Sequence, residues 1–191
     1  MNFQDRNVIG GGRKDYMKHT MFIVPYWIYS IKNWSKIKKK IKPLLNQYPC
    51  VSAKNQNFLS NRAQTSAQFI QEVGNIFKDP LQKFVQEVRH NLQITAAWAT
   101  SYEKGMDHVL HGHSKCIFTG IVYVDFNFQL HKGTAFKQPF NQFDSGNVCF
   151  TFPKIKEGDM LIVPGNIEHY GPVNKSTTVK TIIGFDLNFH D

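Results

Sequence analysis

The sequence predicts an α+β fold. A jelly roll or barrel of about eight strands fills the C-terminal half and is covered on one sheet by helices from the N-terminal half. Two observations carry this. Between residues 31 and 91 apolar side chains recur at helical spacing. From Leu92 onward, short runs rich in Val, Ile, Phe and Tyr alternate with glycine-containing turns. Composition agrees: 41% hydrophobic and 19% charged residues in a 191-residue chain suit one domain with a sizeable core. The expected division is a flexible lead-in at 1–18, mainly helical support at 19–92 and a β core at 93–191.

The lead-in is polar and carries Gly10-Gly11-Gly12. Met21 to Ile31 is apolar and aromatic, and Pro25 demotes it to an edge or short strand. A helix is predicted from Ile31 to Asn46, with Ile31, Trp34, Ile37, Ile41 and Leu44 on its buried stripe and lysines on the other faces. Residues 46–59 read as a loop. A second helix spans Asn61 to Phe77, and Asp79-Pro80 reads as the start of a third, ending near Asn91. The predicted strands are 93–102, 107–113, 117–127, 133–136, 147–152, 159–163, 167–170 and 179–189. Lys104-Gly105, Lys132-Gly133, Ser145-Gly146, Glu157-Gly158 and Gly165-Asn166 separate them.

The formal charge of +9 favours anionic partners, but the only marked cluster is Lys36 to Lys42. Its simplest role is a solvated helix face, with nucleic acid as a less favoured partner. Cys50, Cys116 and Cys149 are odd in number and none forms a CxxC pair, so neither a disulfide framework nor a thiolate zinc site is expected. No apolar run approaches the roughly 18 residues of a membrane span. The first twenty residues lack a signal-peptide core. A cytoplasmic protein with no membrane partner is expected.

The chemistry concentrates at His111-Gly112-His113. On an extended strand, residues two apart share a face, so both imidazoles point one way. By that parity His108 faces away and is excluded as a ligand. Asp107 has the right parity but lies four residues, roughly 13 Å, from His111. His169 follows a second strand and tight turn, in Gly158-x5-Pro164-x4-His169. Neutral His111, His113 and His169 would make a three-imidazole face with open positions. Such a face suits Fe, Zn, Cu or Ni.

Residues 93–189 also resemble the Fe(II)/2-oxoglutarate-dependent dioxygenases of the prolyl-hydroxylase-like group, in particular small phage and bacterial members with HxH in place of HxD. Trp98, Tyr102, Gly105, His111-x-His113, the run Thr119 to Val124, Phe136, Pro139, Glu157-Gly158-Asp159, Pro164, His169, Pro172-Val173-Asn174 and Lys180 carry the resemblance by order and spacing. It implies a double-stranded β-helix and a hydroxylase using Fe(II), 2-oxoglutarate and O2 on an unidentified substrate, releasing succinate and CO2. His111 and His169 match the family's histidine ligands, and His113 replaces its carboxylate. Lys180 stands where a cation pairs with the far carboxylate of 2-oxoglutarate. Tyr123 stands where a tyrosine hydrogen-bonds that carboxylate. Histidine at 113 removes one negative charge from the ion's own ligands.

If Lys180 points inward, so do Asp186 and Asn188, which would bind substrate, orient a ligand histidine or close the strand end. Tyr102 would line the mouth or pack in the core. Two further readings stand beside the first. One is a cupin-type three-histidine metalloenzyme that does not use 2-oxoglutarate. The other is a degenerate barrel acting as a binding module through the lysine helix.

Overall fold

The computed structural model describes residues 24–52, 55–113 and 115–190. The expected lead-in at 1–18 and the first residues of the Met21–Ile31 segment lie outside them. Eleven strands and three α-helices follow in chain order. They are β1 (Trp27–Ser30), α1 (Trp34–Gln47), β2 (Val51–Ser52), β3 (Leu59–Ser60), α2 (Ala67–Ile76), α3 (Lys78–Val88) and β4 (Leu92–Tyr102). Then come β5 (His108–His111), β6 (Phe118–Asp125), β7 (Ala135–Lys137), β8 (Phe150–Thr151), β9 (Asp159–Pro164), β10 (His169–Gly171) and β11 (Lys180–Phe189).

The strands form two antiparallel sheets, β1-β9-β6-β11-β4-β3-β2 and β5-β10-β7-β8. Alternation along β11 sorts the layers. Ile183, Phe185 and Leu187 join Val122, Val124, Met160 and Ile162 in one core, which also takes Ile41 and Leu44 of α1, Phe69 and Val73 of α2, and Phe84 of α3. The helices therefore cover the outer face of the larger sheet, as expected. Ile182 turns the other way, into a second core with Tyr102, Tyr123, Phe136 and Val163 between the sheets. Burial in two layers explains why β6 and β11 read as nearly continuous apolar runs.

Several boundaries differ from the sequence reading. The predicted 61–77 helix begins only at Ala67, because Ser66 accepts a hydrogen bond from Phe69 N and caps it; residues 62–64 form a 3-10 turn instead. Asp79 does not cap α3, which starts one residue earlier at Lys78 behind Phe77. The 46–59 loop contains β2 and the start of β3, two short strands that extend the larger sheet beyond β4. As Pro25 suggests, β1 is an edge strand, paired only with β9.

Two close approaches fix the layers. Gly158 adopts φ +82°, and a Cβ there would lie 2.8 Å from the Trp34 ring. The Trp34 indole and Lys38 both donate to Glu157 at 2.8 Å, tying α1 to the same turn. Gly120 pairs with Phe185 across β6 and β11, and the phenyl ring lies over the glycine. A Cβ on Gly120 would come within 2.0 Å of that ring. Gly120→Ala should therefore destabilise the chain by about 1–3 kcal/mol, read as a lowered urea midpoint. Adding Phe185→Leu should cost less in the Gly120→Ala background than in wild type. Strict additivity of the two would show that the ring does not carry the effect.

Candidate metal centre

The centre is built where β10 lies between β5 and β7. His169 is the direct register partner of His111 on one side and of Phe136 on the other. His113 follows β5 in irregular backbone, held by its N–H donating to Gly165 O at 2.9 Å. Donor atoms of His111, His113 and His169 all lie within 4.8 Å of one another. The rings pack at centroid distances of 4.4 to 5.3 Å.

Hydrogen bonds select the nitrogen that each ring presents. His111 Nδ1 lies 2.8 Å from Val109 O, and His169 Nδ1 lies 3.0 Å from Ile167 O. A carbonyl only accepts, so each Nδ1 carries the proton and Nε2 keeps its lone pair. His113 Nδ1 lies 2.7 Å from Asp186 Oδ1, and donates to the carboxylate in the same way. Three Nε2 lone pairs are thus left for one ion. Burial, reinforced by the neighbouring imidazoles, lowers the His169 pKa to about 3. Burial also pulls His111 below the usual histidine range. Both rings are neutral at pH 7, the form that ligates. This donor set, all nitrogen with convergent lone pairs, fits a divalent transition metal.

His108 corrects the sequence reading. A bulge on β5 sets three residue steps, His108 to His111, against two on β10, His169 to Gly171. Parity therefore flips within the strand, and Val109 and Leu110 both face out. His108 turns to the same side as His111, stacks on it at 3.9 Å, and packs against Phe58 at 4.0 Å. It lines the cavity without joining the ligand group. Burial, then the charges of the other imidazoles, lowers its pKa to about 3.

The cavity between the sheets is small, about 30 Å³, and is lined by the four histidines with Trp98, Thr100, Tyr102, Thr119 and Thr134 among others. That is room for an ion and a water or two. A larger groove of about 270 Å³ runs past Tyr26, Phe136 and Phe140 but contains none of the histidines.

Lys180 pairs with Tyr102 across β11 and β4 and is only 3% exposed. Its ammonium sits 4.1 Å from the Tyr102 ring centroid and makes one long bond, 3.4 Å, to Lys132 O. No carboxylate among the described residues pairs with it. Burial alone lowers its pKa to about 8. Tyr102 lines the cavity; Lys180 lies behind it. The Tyr123 hydroxyl accepts from Thr134 N at 3.3 Å, and burial raises its pKa to about 12. Tyr123 reaches the cavity only through Thr134, which lines it.

Asn188 does not reach the histidines. It has the inward parity but sits past the end of the cavity, where its amide donates to Thr95 Oγ1 and its oxygen accepts from Ile117 N. The sequence reading missed Arg62. Its guanidinium lies 4.0 Å over the Trp98 ring, and Nη2 is 3.9 Å from Asp186 Oδ2. Nothing in the local sequence signals this, because the contact is made across the sheet edge.

No protein-family profile and no curated protein matches the chain. Among solved structures, HygX from Streptomyces hygroscopicus, determined with nickel, 2-oxoglutarate and hygromycin B bound, superposes with a TM-score of 0.65 at 12% identity. The match covers 86% of this chain and 83% of HygX. The viral collagen prolyl hydroxylase of Paramecium Bursaria Chlorella virus-1, in its 2-oxoglutarate complex, matches with a TM-score of 0.58 at 12% identity over 85% of this chain and 94% of its own. A prolyl-4-hydroxylase from Pseudomonas putida gives 0.58 at 8% identity, over 87% and 94%. The chain thus has the α/β fold, with antiparallel sheets and few helices, of the 2-oxoglutarate/Fe(II) oxygenases.

The buried ammonium yields a stability prediction. Below pH 8 Lys180 is charged in both states, and the folded state bears the cost of burying it. Between about 8 and the unfolded value near 10.4 the folded state releases the proton first, so stability gains with rising pH. Lys180→Met should therefore stabilise the apoprotein at pH 7 by on the order of 2–3 kcal/mol, an advantage that shrinks toward pH 10. Urea midpoints at the two pH values check this. A Lys180→Met variant that is less stable at pH 7 would contradict the assignment.

Proposed function

We propose that this protein is an Fe(II)- and 2-oxoglutarate-dependent oxygenase that hydroxylates an as yet unidentified substrate. In this reading the two sheets are those of a double-stranded β-helix, with β9-β6-β11-β4 as one layer and β5-β10-β7-β8 as the other. Residues 93–191 form its core, residues 19–92 support it, and the whole acts as one domain. Its three unpaired cysteines suit the reducing cytoplasm.

Lys180 carries the reading. A buried ammonium without a carboxylate is a costly feature in a fold that has no use for it. A dicarboxylate anchored at the metal would supply the missing charge. His111, His113 and His169 would hold the ion through Nε2. Lys180 would hold the far carboxylate of 2-oxoglutarate, with Tyr123 setting the position of Thr134 beside it. Tyr102 stands between the cavity and the ammonium, and would swing aside as the cosubstrate enters. Trp98 and Phe136 wall the site against water, Trp98 stacking on His113 and Phe136 lying 5.4 Å from the His169 ring. Bound Fe(II) with 2-oxoglutarate and O2 supplies the oxidising chemistry, decarboxylating the cosubstrate to succinate and CO2 as the substrate is hydroxylated. The cupin-type alternative shares the ligands but gives Lys180 no role. Nucleic-acid binding through Lys36–Lys42 is not part of this reading.

Anaerobic titration with Fe(II) and 2-oxoglutarate should produce a visible metal-to-ligand charge-transfer band. His169→Ala should abolish it, and Lys180→Met should weaken 2-oxoglutarate binding at least tenfold while leaving Fe(II) binding in place. Metal uptake without any band, or cosubstrate affinity indifferent to Lys180, would favour the cupin-type reading.

A further inference from the structure

The three-imidazole set brings no negative charge to a divalent ion, yet a carboxylate lies directly behind one of its members. Asp186 accepts from His113 Nδ1 at 2.7 Å, whereas His111 and His169 lean on neutral carbonyls. Both side chains of the pair are largely withdrawn from water, at 5% and 12% exposure. Their geometry is fixed from several sides. Asp186 pairs with Thr119 across β11 and β6. Thr119 Oγ1 donates to Phe185 O at 3.2 Å and lies 3.4 Å from His113 Nδ1. The Trp98 ring stacks on His113 at 5.4 Å, and Arg62 lies over the Trp98 ring with its guanidinium 3.9 Å from Asp186 Oδ2.

We propose, on the basis of the metal-centre reading above, that Asp186 is the carboxylate of this centre, displaced one ring outward and acting through His113. As an anionic acceptor it fixes the His113 tautomer and ring plane. It also draws the Nδ1 proton toward itself, so Nε2 becomes a stronger donor than in the other two rings. The ion's surroundings then regain part of the negative charge that a histidine at position 113 takes away, Arg62 offsetting the remainder. Asp186 is a positioning residue and does not touch the ion. Cys116 Sγ, His113 and Asp186 also cluster within 4.8 Å. With Nδ1 and Oδ1 already hydrogen-bonded, however, no ion fits between those two atoms, and the carboxylate serves the imidazole.

The test uses the full chain, with Co(II) affinity by anaerobic titration and the Fe(II)–2-oxoglutarate band as separate readouts. Asp186→Asn should bind Co(II) about 10- to 100-fold more weakly and move the band to shorter wavelength, because the ion becomes less electron-rich. Asp186→Glu should recover part of both. In a His113→Asp background the effect should largely vanish. There Asp186 has no imidazole to act through, so adding Asp186→Asn should change Co(II) affinity far less than in wild type. That arm keeps the test decisive if Asp186→Asn folds poorly, because such a loss would appear in both backgrounds. Wild-type Co(II) affinity and an unmoved band in Asp186→Asn, or the same fold loss in the His113→Asp background as in wild type, would overturn the inference. Wild type that takes up neither Co(II) nor Fe(II) would instead defeat the metal-centre reading itself.

Discussion

The register between β5 and β10 is the constraint on which the site depends. His169 stands opposite His111 because β10 is clamped between β5 and β7, and a one-residue slip would turn His169 to the opposite face. The bulge after that pair keeps His108 on the cavity side and packs it between Phe58 and His111. The His111 ring is thereby held by stacking as well as by its bond to Val109 O. The larger sheet and its helices supply the rigid wall against which this small sheet keeps its spacing.

Buried charge gives the second layer of meaning. Of the polar groups between the sheets, two stand out electrostatically. Lys180 lacks a carboxylate, and Asp186 holds one against the His113 ring. Each is unfavourable for stability unless something compensates it. Asp186 finds compensation in His113 and Arg62. Lys180 finds only the face of Tyr102, a weak substitute for an anion. The two residues sit on one strand with the same parity, so β11 carries both the site's cation and its carboxylate.

Much of this was legible in the sequence because the strands keep a two-residue alternation. The inward parity of Lys180 and Asp186 rests on it, whereas His113 meets His111 from irregular backbone past the end of β5 and His169 is marked by the Gly158-x5-Pro164-x4-His169 run. What could not be read comes from places where the alternation breaks or the contact is non-local. The β5 bulge reverses the expectation for His108. Arg62 reaches Trp98 and Asp186 from a turn that reads as helix. Asn188 has the right parity but lies past the end of the cavity, a distance that periodicity does not encode. In the helical half the apolar stripes survive, while Ser66 decides where α2 begins.

The central claim is that three imidazoles, through Nε2, hold one divalent ion. X-ray absorption of the chain loaded with one equivalent of Fe(II) counts such ligands directly. Three imidazole rings per iron are expected in wild type and two in His113→Ala, with the remaining positions filled by oxygen. A spectrum with a protein carboxylate on the iron, or the same imidazole count in both proteins, would contradict the account.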